Sequence, residues 1–308
     1  YILRVVFTYK IIFHCVSIHE LKQYLYLFKS RIVFITIIYE ITCKIYACNR
    51  SKNIVEQAIA EDVIHGELNA DTLKECDLLI LNLYARRNIE YVKENIALMK
   101  KGAILVDSTG IKGSVCEELS DFCEENGVHF IGGHPMAGIE KSGYQYSFFG
   151  LFNNATMILC KDHNTDEALF EETKEFFLRL GFGKIRVTTA AEHDGVIAYT
   201  SQMAHLVSSA YIKSPTCEKR YGFSAGSFKD LTRVAYLNED MWTELFAENR
   251  EHLLAELDVF IKNVQDYRDV LAAEDYNSLH KMLAEGRICK ENDNRREEEY
   301  KATFEKLT

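Results

Sequence analysis

The sequence predicts an α/β fold class: a doubly wound parallel sheet domain, followed by an all-helical C-terminal domain. As far as Thr188, short apolar segments alternate with amphipathic segments of about ten residues, and this alternation is typical of a parallel sheet covered by helices. From Ala190 onward the apolar residues recur with a helical period, and strand-like segments are absent. We therefore expect a domain boundary near residue 189.

The predicted elements follow one another in a regular order. Buried strands are predicted at residues 44–51, 76–83, 103–106, 128–131, 155–160 and 184–188. Helices are predicted at residues 53–60, 89–99, 117–126, 166–180, 191–212, 241–270 and 276–286. Residues 1–43 contain no glycine and no proline; segments 11–13 and 32–39 are strand-like, and residues 21–28 fit a turn or two of helix. The predicted domains are 1–189 (α/β), 190–289 (helical) and a charged tail at 290–308, which is expected to be a solvated helix or a frayed end.

The composition excludes several classes of partner. The 308 residues carry a formal net charge of −10 at pH 7, whereas nucleic acids and anionic membranes favour basic surfaces. The apolar segment 32–39 is too short to span a bilayer, and Arg31, Glu40 and Lys44 flank it. The nine cysteines form no CxxC pair, no ligand spacing supports a metal site, and no secretory signal is recognisable. We therefore expect reduced thiols and a cytoplasmic protein.

Residues 131–143, Ile-Gly-Gly-His-Pro-Met-Ala-Gly-Ile-Glu-Lys-Ser-Gly, are the most distinctive segment of the chain. They hold four of the sixteen glycines and one of the two prolines. Glycine allows close backbone approach and proline fixes φ, so the segment predicts a rigid loop that presents the His134 imidazole. Histidine is the side chain best suited to proton exchange near neutral pH. A tight turn with an incidental surface histidine is the alternative.

Polar residues follow several of the predicted strands directly. Asn49, Asp107 and His134 lie at or just after the ends of three strands, as do Tyr84 and the pair 108–109. In an open parallel sheet the carboxyl ends of the strands lie along one edge, and ligands bind there. We therefore expect these side chains to converge on one crevice.

Several segments, in this order and spacing, resemble the prephenate/arogenate dehydrogenase family of tyrosine biosynthesis. They are residues 102–113, the Gly-Gly-His-Pro segment, residues 191–194 with 201–205, and residues 226–233. The resemblance runs from about residue 44 to about residue 287. It implies a Rossmann-like domain and an NAD- or NADP-dependent oxidative decarboxylation of prephenate to 4-hydroxyphenylpyruvate. Arogenate or dual-specificity cyclohexadienyl dehydrogenase is the alternative, and a homodimer formed through the helical domain is also implied.

The resemblance assigns His134 as the catalytic residue, which accepts a hydrogen bond from the ring hydroxyl as hydride leaves. Arg233 is expected to bind the dianionic substrate, because a guanidinium can hold a carboxylate through two hydrogen bonds. The alternative is a surface arginine paired with Asp230 or Glu239. Lys229 is a second candidate for binding the same anion.

The segment from Ser201 to His205 departs from the usual family pattern, Ser-His-Leu-Pro-His. It keeps Ser201 and His205, which share one helix face and are expected to line the substrate site. Gln202 and Ala204 replace the first histidine and the proline. A buried histidine with satisfied hydrogen bonds is the alternative for His205. His193 stands where the family often has a histidine, and it could cap a helix or line the cleft.

Residues of two segments are expected to border the cofactor. The resemblance places a loop beside the nicotinamide, and its candidate residues are Asp107, Thr109, Gly110 and Lys112. Many family members have serine at the position of Gly110. Asn49 and Arg50 end a strand where an acidic residue would hold the ribose hydroxyl of NAD, so a neutral and a basic residue there favour NADP or tolerance of both cofactors.

The GxGxxG turn that normally binds the pyrophosphate is missing, and its expected position, residues 9–17, contains no glycine. Three interpretations are open. Residues 1–43 are a corrupted translation of an ordinary enzyme, the chain is a degenerate homologue that binds cofactor poorly or not at all, or a variant loop binds phosphate through other groups. The second interpretation suggests a different function, that of a binding or dimeric protein without activity.

Overall fold

The computed structural model describes residues 3–8, 23–26, 35–38, 44–137, 143–148 and 150–305. The strands within these ranges are β1 (Leu3–Thr8), β2 (Gln23–Tyr26), β3 (Ile35–Ile38), β4 (Lys44–Asn49), β5 (Gly66–Glu67), β6 (Leu78–Leu81), β7 (Ile104–Asp107), β8 (His129–Met136), β9 (Thr156–Cys160) and β10 (Lys184–Thr188).

The α-helices in the same part of the chain are α1 (Lys52–Ala60), α2 (Ala70–Leu73), α3 (Ala85–Asn95), α4 (Gly113–Glu125), α5 (Glu167–Arg179), α6 (Ala190–Ile197), α7 (Ala204–Tyr211), α8 (Gly226–Thr232), α9 (Glu239–Glu248), α10 (Arg250–Ala272) and α11 (Tyr276–Glu305). A π-helical segment, Ala198–Met203, joins α6 to α7. Single 3₁₀ turns occur at Ile96–Leu98, Tyr144–Tyr146 and Pro215–Lys219.

An eight-stranded sheet forms the centre of the α/β part, in the order β10-β9-β8-β7-β6-β1-β4-β5. Strands β6, β7 and β8 pair in parallel, as do β4 with β5 and β9 with β10. Strand β8 is antiparallel to β9, and β1 is antiparallel to both of its neighbours, β4 and β6. From α6 onward the described residues form helices. The predicted fold class, a parallel-sheet α/β domain followed by a helical domain, is confirmed.

The strands direct alternate side chains into two cores, one on each face of the sheet. The first core packs strand residues against α1 and α5, and it includes Ile45, Ala47, Val55, Ala58, Ile80, Val106, Ile131, Phe170 and Phe177. The second packs strand residues against α3 and α4, and it includes Tyr46, Leu79, Leu81, Ile89, Val92, Leu105, Val115, Leu119 and Phe130. Each fully buried valine, leucine, isoleucine or phenylalanine side chain contributes about 1.5–3 kcal/mol, so the two cores hold helices on both faces of the sheet.

Two predictions for the first 43 residues have different outcomes. Residues 21–28 contain strand β2 instead of helix, because Gln23–Tyr26 pair antiparallel with Ile35–Ile38 of β3. Strand β3 itself lies inside the strand-like segment predicted at 32–39. The strand-like segment at 11–13 and the glycine-free segment 9–17 lie outside the described residues.

The chain divides into two compact units, Tyr1–Leu253 and Leu254–Thr308. In the second unit α10 and α11 are in contact, and the Tyr267 hydroxyl donates a hydrogen bond to the Met282 carbonyl (3.4 Å). Most of the predicted charged tail lies within α11. The boundary near residue 189 stays a prediction. Among the described residues, no helix combines the length and the apolar character needed to cross a membrane.

Candidate active site

Strand β8 carries His134 and changes its pairing partner just before this residue. Residues 129–131 pair in parallel with β7, whereas residues 132–136 pair antiparallel with β9. The predicted rigid loop around His134 is therefore a strand, since this segment finds a partner in β9. His134 consequently lies beyond the carboxyl end of β7, on a strand that is paired along its length.

The two glycines before His134 are required by close backbone approach. A Cβ atom on Gly133 would lie 2.6 Å from the Asp107 carbonyl oxygen, and one on Gly132 would lie 2.8 Å from Cys116 Sγ. The backbone N–H of Gly133 also donates a hydrogen bond to Asp107 Oδ1 (3.1 Å). Any larger residue at Gly133 would push β8, and His134 with it, away from β7.

The loop after β7 is organised by a buried ion pair. The Lys112 ammonium contacts the Asp107 carboxylate and donates a hydrogen bond to Thr109 Oγ1 (3.0 Å). Thr109 in turn donates to the Ile111 carbonyl oxygen (2.8 Å) and is itself buried. The three candidate cofactor residues Asp107, Thr109 and Lys112 thus bind one another, and their position gives the loop its shape. A contact of these side chains with a cofactor stays a prediction.

Gly110 is the candidate residue of this loop that faces His134. A Cβ atom on Gly110 would lie 4.0 Å from His134 Nε2 and 3.4 Å from Leu245 Cδ2. The glycine is partly exposed. The Nε2 side of His134 therefore faces a position without a side chain, bounded on the other side by Leu245 of α9.

Hydrogen bonds link His134, through its Nδ1 atom, to His193 and then to Asp194. His134 Nδ1 lies 2.9 Å from His193 Nε2, and His193 Nδ1 lies 2.6 Å from Asp194 Oδ1. The Asp194 carboxylate accepts two further hydrogen bonds, from the backbone N–H groups of Lys112 (2.8 Å) and Gly113 (2.7 Å). Since these N–H groups open α4, Asp194 also caps that helix and joins α6 to the α/β part.

The protonation states in this chain follow from burial and hydrogen bonding. Burial lowers the pKa of His134 well below its ordinary value of 6.5, and His193 and Lys112 lower it further. Burial also lowers the pKa of His193, although its hydrogen bond to Asp194 acts in the opposite direction. Burial by itself would raise the pKa of Asp194, but the hydrogen bonds from His193, Gly113 and Lys112 bring it below 3.8. At neutral pH the imidazoles of His134 and His193 are therefore neutral, and Asp194 is a carboxylate.

The buried side-chain amides of Asn249 and Gln202 bond to each other, and Asn249 also bonds to the backbone of α6. The side-chain amide of Asn249 donates hydrogen bonds to the Asp194 carbonyl oxygen (2.9 Å) and to Gln202 Oε1 (2.9 Å). Gln202 donates in turn to the Leu245 carbonyl oxygen (3.1 Å). Gln202, which stands where the resemblance predicts a histidine, thus links the π-helical segment to α9, the helix whose Leu245 packs beside Gly110.

The predicted substrate residues Ser201 and His205 lie together. His205 Nδ1 is 2.8 Å from the Ser201 carbonyl oxygen, and the His205 ring packs on Trp242 with ring centroids 4.0 Å apart. Trp242 also contacts Phe246 of α9. His205 is thus held on one face by an aromatic ring, and its Nδ1 atom is engaged with the backbone.

The two basic candidates lie on α8 and at its end. Lys229 and Arg233 are both exposed, and Arg233 is the residue that ends the helix. Phe228 of α8 packs near Tyr211 of α7, with ring centroids 6.1 Å apart. The helix with the basic residues therefore packs on the helix that carries His205, although neither basic residue belongs to the His134–His193–Asp194 chain.

Asn49 and Arg50 lie at the carboxyl end of β4. Asn49 Oδ1 accepts a hydrogen bond from the Ser51 N–H (2.9 Å), while its buried Nδ2 has no hydrogen-bond partner among the described residues. A buried amide donor of this kind fits a ribose hydroxyl, which would supply the missing acceptor. Arg50 is exposed beside it.

The position of β1 bears on the pyrophosphate end of a cofactor site. In the register of β1 with β4, Leu3 pairs with Asn49 and Thr8 pairs with Lys44. The carboxyl end of β1 is therefore at the edge of the sheet opposite Asn49. A first strand of a dinucleotide-binding unit would run parallel to its neighbours and end on the Asn49 side. β1 therefore does not contribute its carboxyl end to that edge, and contact of Asn49 or of the loop after β7 with a cofactor stays a prediction.

Sequence analysis did not single out Asp194, Asn249 or Gln202 as functional, and it left His193 between capping and lining the cleft. The sequence signal was nevertheless present. His193 and Asp194 precede buried Ile197 and Ala198 by four residues, so the helical period places both polar residues on the buried face of α6. Buried polar residues need partners, and these partners are distant in sequence.

Two family models match the chain. "Prephenate dehydrogenase, nucleotide-binding domain" matches residues 39–186, and "Prephenate dehydrogenase, dimerization domain" matches residues 189–285. Together they span most of the chain, including the His134–His193–Asp194 residues. His134 falls in the first match, and His193 and Asp194 fall in the second.

Individual relatives show the same likeness. A cyclohexadienyl dehydrogenase of Zymomonas mobilis is 31% identical over 217 residues, which are 68% of this chain and 72% of that protein. A prephenate dehydrogenase of Lactococcus lactis is 29% identical over 220 residues, 70% of this chain and 60% of that protein. The crystal structure of prephenate dehydrogenase from Aquifex aeolicus, in complex with hydroxyphenyl propionate and NAD+, superimposes with a TM-score of 0.69 at 24% identity and covers 80% of this chain and 86% of that one. The last likeness shows the fold.

Proposed function

Since the chain belongs to the prephenate dehydrogenase family, we propose that it oxidatively decarboxylates prephenate to 4-hydroxyphenylpyruvate in tyrosine biosynthesis, with NAD or NADP as cofactor. One observation carries the proposal. His134 presents Nε2 toward Gly110, which has no side chain, and burial lowers the pKa of His134 so that the imidazole is neutral at physiological pH. A neutral imidazole whose Nε2 faces a glycine is able to accept a proton from a hydroxyl group bound there.

The proposed role of His134 follows from the chemistry of the substrate ring. As hydride leaves the ring carbon that bears the hydroxyl, the oxygen becomes carbonyl-like and its proton becomes acidic. His134 accepts this proton, and help of this kind is worth about 10²–10⁴-fold in rate. The chemistry that a nicotinamide cofactor supplies when bound is acceptance of the hydride. Loss of carbon dioxide leaves its bonding electron pair in the ring, which becomes aromatic, and the ring oxygen takes the proton back from His134 to give the phenol. The remaining task of the protein is orientation.

Basic and polar residues of the helical part are proposed to orient the substrate. Prephenate carries two carboxylates, and Arg233 is suited to hold one of them through a two-bonded contact, with Lys229 near the same anion. His205 and Ser201, which lie together on the helix adjoining α8, are proposed to line the same site. Arogenate differs from prephenate in its side-chain amine, and use of arogenate, or of both substrates, is the alternative specificity.

The cofactor is proposed to bind along the carboxyl edge of β4, β6 and β7. Asn49 Nδ2 would donate to a ribose hydroxyl, and Arg50 would pair with the 2′-phosphate if NADP is used. The nicotinamide and the substrate ring are proposed to lie beside Gly110 and His134, next to the loop held by Asp107, Thr109 and Lys112.

A second candidate function is a homologue that binds its ligand or a second copy but cannot use the cofactor. Two observations favour it: residues 9–17 contain no glycine, and β1 runs antiparallel to both neighbours. Either candidate is proposed to dimerise through the helical part. The family match to a dimerization domain and the exposure of large aromatic side chains, such as Tyr236 at 96% and Phe223 at 91%, support this.

The experiment combines cofactor binding with turnover. NAD and NADP are titrated calorimetrically into the full chain after circular dichroism has shown it to be folded, and prephenate and arogenate are then assayed by the absorbance of the reduced cofactor. We expect one cofactor to bind and at least one substrate to be turned over. Folded protein that binds neither cofactor would overturn the enzyme proposal in favour of the second candidate.

A substitution locates the reaction at His134. His134→Asn keeps a polar side chain but removes the basic nitrogen, so kcat should fall at least about 100-fold while KM changes little. His163→Asn, at an exposed histidine whose ring contacts Asp121, is the matched control and should leave both constants unchanged. Equal activity of the two variants would rule out His134 as the proton acceptor.

A further inference from the structure

The hydrogen bonds around Asp194 determine which nitrogen of each neighbouring histidine carries a proton. Asp194 accepts hydrogen bonds from the backbone N–H groups of Lys112 and Gly113, so its carboxylate can only accept from its third partner as well. That partner is His193 Nδ1, at 2.6 Å. His193 Nδ1 must therefore carry a proton.

The same reasoning passes from His193 to His134. A neutral His193 that is protonated at Nδ1 has a lone pair at Nε2, and this atom faces His134 Nδ1 at 2.9 Å. His134 Nδ1 must then carry the proton of that hydrogen bond. The remaining nitrogen of His134, Nε2, is left as the basic atom, and it is the atom that faces Gly110.

We propose that His193 is a positioning residue which, with Asp194 behind it, holds His134 in the one tautomer that presents a basic Nε2 to the substrate. The proposal rests on the proposed function, since it concerns the proton acceptor of that reaction. When the hydroxyl proton moves to His134 Nε2, no further bond needs to form or break. The new imidazolium keeps its Nδ1–H on His193, and the Asp194 carboxylate stabilises its positive charge through that ring.

The charged residues around His134 and His193 support this placement of the protons. Lys112 lowers the pKa of both His134 and His193, so it opposes a proton on either ring, whereas Asp194 favours one on His193. Asp107 acts on His193 in the same direction as Asp194, but it already binds Lys112. Asp194 is thus the carboxylate in hydrogen-bond contact with the histidine pair.

The arrangement also couples the base to the helical part of the molecule. His134 lies in the segment that matches the nucleotide-binding domain, and His193 and Asp194 lie on α6 in the segment that matches the dimerization domain. Gly110 has no hydroxyl group that could orient the His134 ring from the substrate side, so His193 is the residue that orients it. His134 therefore keeps its basic Nε2 only while Asp194 of α6 is bound to the N-terminus of α4.

The direct test is a nuclear magnetic resonance measurement of tautomers in the full chain with isotopically labelled histidine nitrogens. The chain has ten histidines, and the signals of His134 and His193 are assigned from their loss in His134→Asn and His193→Gln. We expect both rings to be protonated at Nδ1 and free at Nε2. A majority of His134 protonated at Nε2 would overturn the proposal, whether or not the chain turns over prephenate.

Three substitutions test the causal role. Asp194→Ala removes the acceptor of His193 Nδ1, so neither histidine is held with its proton on Nδ1 and the Nδ1–H fraction of both should fall. In His193→Gln the amide oxygen can still accept from His134 Nδ1, so the tautomer of His134 should be retained. His193→Leu offers no acceptor and should lose it. His163→Gln is the control with no expected effect.

Kinetics separate this proposal from the proposed function. If the chain is active, Asp194→Ala and His193→Leu should lower kcat by about 10²–10⁴-fold with little change in KM, and His193→Gln should retain much more of the activity than His193→Leu. Thermal unfolding of each variant shows that it is folded. An active chain whose His134 tautomer is unchanged in Asp194→Ala would disprove the positioning role and leave the proposed function intact. An inactive chain with the expected tautomers would disprove the proposed function and leave the positioning role of His193 intact.

Discussion

The Lys112 ammonium contacts the Asp107 carboxylate in an ion pair of which neither side chain has any exposed surface. The pair joins the end of β7 to the residue before α4. Asp107 also accepts the Gly133 N–H of β8, and the Lys112 backbone N–H is bound by Asp194 of α6. One buried pair therefore lies at the junction of the three segments that position His134.

Lys112→Met should strongly destabilise the fold, because it leaves a fully buried carboxylate without its cation. Breaking a buried pair from one side typically costs about 3–5 kcal/mol, and we expect a loss of this size in urea unfolding. The control is Lys174→Met, at an exposed pair with Glu171, where the loss should stay below about 1 kcal/mol. The double variant Asp107→Asn with Lys112→Met should recover part of the stability. Similar losses at the two lysines would contradict the structural role of Lys112.

The stability of the fold should fall as the pH falls below the ordinary histidine pKa of 6.5. The folded state lowers the pKa of both His134 and His193, so below this pH the unfolded chain binds more protons than the folded chain. The stabilisation is fully present above pH 6.5 and decreases toward acid, by up to about 1.4 kcal/mol per pH unit for each histidine.

Urea unfolding between pH 7.5 and about 5.5 measures this effect, since carboxylates with ordinary pKa values titrate mainly below that range. The double variant His134→Asn with His193→Gln should show a clearly smaller dependence on pH. The variant His163→Gln, changed at an exposed histidine, serves as the control. An undiminished pH dependence in the double variant would show that other groups are responsible.

Gly133→Ala should destabilise the protein and lower its activity together. The added Cβ would lie 2.6 Å from the Asp107 carbonyl oxygen and 2.9 Å from Val106 Cγ1, and the backbone of β7 cannot yield without disturbing the sheet. Overpacking of this kind costs about 1–3 kcal/mol. The matched control is Gly66→Ala in β5, where the added Cβ would make an ordinary contact of 3.5 Å with Tyr46. Thermal unfolding and turnover are measured for both, and equal behaviour would contradict the close-approach argument.

Local pattern was sufficient to predict the fold class and most elements. Strand β10 lies at the predicted residues, and β7 and β9 lie within a residue of theirs, because buried strands between helices leave a clear apolar signature. The segment 131–143 was harder to predict. Glycine and proline indicated a loop, but residues 132–136 form a strand, since pairing with β9 is a long-range contact that local preference does not contain.

The candidate site was predictable to a similar extent. His134 and Gly110 were singled out from motifs, and the structure places them side by side. The partners of His134 could not be derived in the same way, because Asp194 and His193 act through hydrogen bonds to residues about 60 to 80 positions earlier. A helical period can indicate that a polar residue is buried, but only the packing of α6 on α4 shows what it binds.

Gly110→Val should block the site without unfolding the protein. The first added carbon would lie 3.4 Å from Leu245 Cδ2, an ordinary contact, whereas the two further methyl groups of valine would reach into the space beside His134 Nε2. A substrate hydroxyl needs that space in order to come within hydrogen-bond distance of His134. Gly110→Ala adds only the first carbon and is the matched control. We expect kcat/KM to fall at least about 100-fold for valine and less than about 10-fold for alanine, with similar melting temperatures for both. A valine variant with full activity would show that the reacting hydroxyl does not approach His134 from the Gly110 side.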